Sequence, residues 1–143
     1  MNSDSIVVME NGAGWPAWVD EEAGAVSRVV ALTRHRGESH EDFELRARDR
    51  LEALAERSAP RRGVLICGSG RSEPASCRER LVGVLLEIIA RVGGGEVVLI
   101  GDDSALVRRL AGRVEELNRA APVSLRLRPA PAVRGQPVAR RVA

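Results

Sequence analysis

Residues 63–72 read Gly63-Val64-Leu65-Ile66-Cys67-Gly68-Ser69-Gly70-Arg71-Ser72. An unbroken apolar run of strand length, without polar alternation, fits a strand covered on both faces, as in the middle of a parallel sheet. Gly68 and Gly70 stop the run, and Pro74 is placed for the first turn of a helix. That helix carries Cys77, Leu81, Leu85, Ile88 and Val92 on one stripe, widened by Val82, Val84, Leu86 and Ile89, so it is expected to be the most buried helix of the chain. Gly93-Gly94-Gly95 is expected to end it, and a second buried strand follows at Val97-Val98-Leu99-Ile100.

The flanks extend this strand–helix alternation. Asp102 or Asp103 is placed to cap a helix with Leu106, Leu110, Val114 and Leu117 inward. Val123, Leu125 and Leu127 alternate with Ser124, Arg126 and Arg128, the pattern of a half-exposed edge strand. Upstream, Ser39 with Asp42 reads as a capping box, opening a helix with Phe43, Ala47, Leu51 and Leu54 inward and ending before Pro60. Ser5 to Met9 and Val26 to Thr33 are two further strands. The residues between them are poor in helix signals, which favours a wide hairpin. The expected fold is α/β: a single small domain over residues 1–128, ordered β-β-α-β-α-β-α-β, with a mainly parallel sheet, an N-terminal hairpin and helices on both faces. Residues 129–143, rich in proline, arginine and alanine, are expected to form a disordered tail.

Composition excludes several functions. All 22 basic residues are arginine, so neither Schiff-base chemistry on a lysine nor a phosphate-loop lysine is available. Trp15, Trp18 and Phe43 are the only aromatic residues, too few for a base-stacking platform, so nucleic acid is not an expected partner. The tryptophans are expected to pack as part of the fold. The polar, acidic start at Met1–Ser5 lacks the pattern of a secretion signal, no apolar stretch approaches a membrane span, and two cysteines make no disulfide framework. A cytoplasmic protein with reduced thiols is expected. Charge is asymmetric: residues 1–25 carry five acidic side chains and no arginine, whereas residues 104–143 carry nine arginines against Glu115 and Glu116.

Ligands of open α/β sheets bind outside the carboxyl ends of the strands. Three segments are expected to meet there: Thr33-Arg34-His35-Arg36-Gly37, Gly68-Ser69-Gly70-Arg71-Ser72 and Gly101-Asp102-Asp103-Ser104. Gly68 and Gly70 allow close backbone approach, a helix start follows them, and Arg71 offers a fork of donors to an anion. The candidate binding residues are therefore Gly68, Ser69, Gly70, Arg71, Ser72, Gly101, Asp102 and Ser104. A cysteine mechanism would use Cys67 as nucleophile, His35 as base and Asp102 or Asp103 as orienter. A cysteine closing a buried strand is more often a small hydrophobe, and the arginine a phosphatase loop needs six residues later is Glu73 here. Cys77 belongs to the core stripe. His35 and His40, with Glu38, Glu41 and Asp42, lack metal-ligand spacing and read as a solvated loop, so no metal and no cofactor are expected.

The stretch Val97–Pro129 resembles the last third of universal stress proteins, through Leu99-Ile100-Gly101, Ser104, Leu106, Arg109-Leu110, Gly112, Ala121-Pro122-Val123 and Arg128-Pro129. The resemblance implies a nucleotide-binding α/β fold. Several positions depart from the family: Ser104 stands for a glycine, Arg113 for a small hydroxyl residue, and Met9-Glu10-Asn11-Gly12 lacks the aspartate usual after the first strand. A hairpin followed by alternating helices and strands is also similar in layout to anti-sigma-factor antagonists, which would make Ser72 or Ser76 a phosphorylation switch. The expected function is a non-enzymatic regulatory or ligand-binding module for a small anionic ligand, with nucleotides among the candidates, acting as a homodimer. The alternatives are a phospho-switched interaction module and a cysteine-dependent enzyme.

Overall fold

Ser5–Met9 forms strand β1, Ser27–Ala31 β2, Arg62–Ile66 β3, Gly94–Ile100 β4 and Ser124–Ala130 β5. The helices are α1 (His40–Ser58), α2 (Ala75–Arg91) and α3 (Ala105–Ala120). This is a computed structural model, and it describes residues 5–10, 27–67, 75–101, 105–120 and 123–130. Among them the fold is α/β, with one five-stranded sheet in the order β2-β1-β3-β4-β5 and every neighbouring pair parallel.

The expected N-terminal hairpin is therefore replaced by a parallel pair, with Ser5 opposite Ser27 and Met9 opposite Ala31. A tight turn cannot join parallel neighbours, because the chain must return to the starting end of the sheet, which takes a dozen or more residues. The connection from Glu10 to Val26 has that length. The resemblance in layout to anti-sigma-factor antagonists rested on the hairpin and loses its carrier with it.

The helices of the described residues lie on one face, not on both as expected. Ile6, Val8, Val30, Leu32, Leu65, Val97, Leu99 and Leu125 point to a core shared with Phe43, Ala47 and Leu51 of α1, the apolar stripe of α2, and Leu106 and Leu110 of α3. The alternate residues Val7, Val64, Ile66, Val98, Ile100 and Ala130 form a second buried cluster that includes no residue of these helices. Handedness explains the arrangement. The steps β2→β3, β3→β4 and β4→β5 all run the same way across the sheet, so right-handed crossovers put α1, α2 and α3 on the same side.

Helix boundaries follow local chemistry. The Ser39 side chain accepts a hydrogen bond from the Asp42 N–H at 3.0 Å, as the capping box predicts. α1 closes on Ala59, which takes the left-handed conformation with φ 47° and donates its N–H to Ala55 O. α2 is the most buried helix, as expected, with Cys77, Leu81, Val82, Val84, Leu85, Leu86, Ile88 and Ile89 in the core. Each such side chain contributes about 1.5–3 kcal/mol by leaving water. Gly63 lets α2 sit close to β3: a Cβ there would lie 3.3 Å from Leu85 Cδ2.

Two boundaries differ from the sequence expectation. α2 ends at Arg91, and Gly94 and Gly95 begin β4 instead of merely ending the helix. β5 continues through Pro129 to Ala130, where a disordered tail was expected to begin. Proline is tolerated there because β5 is an edge strand. Trp15, Trp18 and residues 131–143 lie outside the described residues.

Candidate site at the carboxyl edge of the sheet

Because all five strands are parallel, their carboxyl ends share one edge. A last row of backbone hydrogen bonds runs along it: Leu32 N–H to Met9 O, Glu10 N–H to Ile66 O, Cys67 N–H to Ile100 O and Gly101 N–H to Ala130 O, at 2.8–3.1 Å. This row fixes the backbone of Glu10, Cys67 and Gly101 side by side. The chain leaves β1 toward β2 on one side and leaves β3 toward β4 on the other. The β1/β3 boundary is thus the point where the winding reverses, the place where open α/β sheets of this strand order bind their ligands.

At that boundary stands Glu10, only 4% exposed. Arg78, in the first turn of α2, donates Nε to Glu10 Oε2 at 2.7 Å and Nη2 to Glu10 Oε1 at 2.5 Å. A two-point guanidinium–carboxylate bond satisfies the buried charge and fixes its direction. Here it ties the start of α2 to the end of β1. The sequence pattern alone does not single out this pair. Its signal was position 78 itself, an arginine in line with Val82, Leu85 and Ile89 on an otherwise apolar helix stripe.

Of the expected binding residues, Gly101 is described. It is exposed at the end of β4 with φ 95°, a conformation that favours glycine. Gly68, Ser69, Gly70, Arg71, Ser72, Asp102 and Ser104 lie outside the described residues, as do Asp103 and the Ser76 side chain. Their loops leave the sheet at Cys67 and Gly101 and rejoin described chain at α2 and α3.

The third expected segment, Thr33–Gly37, is braced from α1. Arg46 donates Nε to Glu38 Oε2 at 3.0 Å and Nη2 to Glu38 Oε1 at 2.8 Å and to Thr33 O at 2.7 Å. Arg34 Nη1 donates to Glu38 O, and the His35 N–H donates to Glu38 Oε1, both at 2.8 Å. The Arg46 guanidinium, followed by the His35 N–H, holds the Glu38 carboxyl down at about 2. The acidic loop side chain therefore organises its own loop, and among the described residues no group of three or more His, Cys, Asp or Glu could hold a metal ion.

The proposed cysteine–histidine pair is not assembled by the strands. Cys67 follows β3 and His35 follows β2, with β1 between them, so the backbones are two strand spacings apart, about 10 Å. The His35 side chain is 69% exposed, and its Nδ1 lies 3.9 Å from Glu38 Oε1. Cys77 is buried in the core, as expected.

Beyond the edge, the helix layer is strapped by arginine–glutamate pairs. Glu87 of α2 receives Arg48 of α1 at 2.7 Å and Arg113 of α3 at 2.6 Å. Burial raises the Glu87 pKa, and the two guanidinium groups more than reverse this, so the net shift is downward. Among the described residues no helix is long and apolar enough to cross a membrane. No protein-family model, no curated protein and no solved structure matches this chain.

Proposed function

We propose that the chain is a non-enzymatic binding module that takes a small anionic ligand, such as a nucleotide or phosphorylated metabolite, at the carboxyl edge of the sheet. The observation that supports this reading best is the reversal of winding between β1 and β3, with Glu10 there already neutralised by Arg78. A buried lone carboxylate at the reversal point would repel an anion; a paired one does not. On sequence grounds, Gly68 and Gly70 permit close backbone approach and Arg71 offers a fork of donors to an anion.

A thermal-shift screen against nucleotides and phosphorylated metabolites tests the proposal. A ligand at a hundred times its Kd stabilises by about 2.7 kcal/mol, which moves the melting temperature by several degrees. The expected result is a specific shift that Arg71→Ala abolishes. A shift that survives Arg71→Ala and the charge-removing Asp102→Asn unchanged overturns the site assignment, and a flat screen overturns the ligand class.

A further inference from the structure

The amino-terminal edge of the same sheet carries a separate concavity of about 360 Å³, lined by Arg61, Arg62, Gly95, Glu96, Ser124 and Arg126. Arg62, Glu96 and Arg126 stand in register on β3, β4 and β5, so their side chains rise from one face in a row. Glu96 is buried and engaged on both sides, by Arg62 at 3.4 Å and by Arg128, whose Nε donates to Oε2. Arg62 and Arg128 thus account for its charge. Arg61 bonds through Nε to the Gly94 carbonyl at 2.9 Å, and among the described residues neither Arg61 nor Arg126 makes an ion pair. The lining thus carries three arginines against one glutamate, an excess of two positive charges.

Two glycines make the room. A Cβ on Gly95 would lie 1.9 Å from Arg61 O, and one on Gly94 would lie 2.8 Å from Ser124 O. Their absence lets the Arg61 backbone and the start of β5 close around the start of β4, where the Glu96 N–H donates to Arg61 O at 3.1 Å. This brings to one hollow the Ser124 hydroxyl and two guanidinium groups that make no ion pair among the described residues. Elsewhere the arginines Arg48, Arg80, Arg91, Arg109 and Arg113 are taken up by glutamates of the helix layer.

The geometry points to a second anion site at this edge, one that binds the phosphate group of a small phosphorylated compound through Arg61, Arg126 and Ser124. An excess of two charges matches a phosphate monoester dianion, and guanidinium forks suit its oxygens. The hollow is at the small end of ligand sites, which favours a compact ligand over a polymer. The inference does not depend on the proposed site at the carboxyl edge, which lies at the other end of the strands.

Calorimetric titration of the full chain with pyrophosphate tests it, with sulfate and a short DNA duplex as comparison probes. Arg126→Ala and Arg61→Ala are each expected to weaken pyrophosphate about tenfold, the loss typical of one charged hydrogen bond. Arg71→Ala is expected to leave the affinity unchanged. Arg126 is exposed and makes no ion pair among the described residues, so its variant is expected to keep the fold even if Arg61→Ala loosens the Gly94 turn; a thermal melt of each variant checks this. Loss of binding in Arg71→Ala but not in Arg126→Ala overturns this inference and leaves the carboxyl-edge proposal standing. No binding of pyrophosphate at millimolar concentration overturns it outright. Equal affinity for sulfate and pyrophosphate shows diffuse charge, not a site, and tighter binding of the duplex shows a nucleic-acid surface; either result overturns it.

Discussion

The carboxylate of Glu10 and the guanidinium of Arg78, 68 residues apart in sequence, meet through two hydrogen bonds at the point where the sheet reverses its winding. The carboxylate side chain is 2% exposed and the arginine 22%. Removing the arginine takes a two-point bond away from a carboxylate that water barely reaches. Arg78→Ala is expected to cost about 3 kcal/mol, read from urea denaturation midpoints at neutral pH. A loss below about 1 kcal/mol would show that the pair behaves like a surface ion pair and does not anchor α2.

Glu38 makes stability depend on acid. Its carboxyl is lowered from an ordinary 4.5 to about 2 in the folded chain, so the unfolded chain binds its proton first as pH falls. The stabilisation it supplies is complete above about 4.5 and is lost as pH falls through about 2. Denaturation of the wild type and Glu38→Gln, followed from pH 6 to pH 2, is expected to show a gap that closes across that window. A gap independent of pH would place the effect in packing instead of charge.

Three positions invite opposite exchanges of glycine and alanine. Gly83 lies within α2, where a Cβ would meet nothing within 4 Å, so Gly83→Ala is expected to stabilise by about 1 kcal/mol. Ala59 takes a left-handed conformation, where an L side chain costs roughly 1–2 kcal/mol, and Ala59→Gly is expected to recover part of that. Gly95→Ala drives a Cβ into the Arg61 carbonyl and is expected to unfold the chain or shift β4. Melting temperatures of the three variants should separate cleanly, two above wild type and one far below; a neutral Gly95→Ala contradicts the close approach.

Glu87 is held by both neighbouring helices, and its partners are partly exposed. Glu87→Gln is expected to cost about 1 kcal/mol at low salt and less at 1 M sodium chloride, because screening weakens half-exposed pairs. In a double-mutant cycle, Arg48→Ala and Arg113→Ala are expected to be non-additive, since both act on one carboxylate. Strict additivity would mean that the two straps are independent.

The strands and helices were legible where hydrophobic period and capping chemistry agree, as at Val64–Ile66, the Cys77–Ile89 stripe and the Ser39 cap. Strand direction was not. Val7 and Val29 sit in equally apolar, β-branched runs, and nothing in such a run says whether its neighbour is parallel; that depends on where the intervening chain travels. The end of β4 was legible from the apolar run Val97–Ile100 and the Gly101 that follows it. The Glu10–Arg78 pair was not, because a single charge after a strand and a single arginine on a helix acquire meaning only when tertiary structure joins them. The arginine row at the opposite edge likewise needed the register of β3, β4 and β5.

The hydrogen bonds from Leu32, Glu10, Cys67 and Gly101 along the carboxyl edge form a single chain of rungs from β2 to β5. Along this rim each strand end is therefore tied to its neighbour across all five strands. Its four amide protons are a built-in gauge: a molecule seated on that rim slows their exchange with solvent together, whereas one seated at the far end of the strands leaves all four at their resting rate.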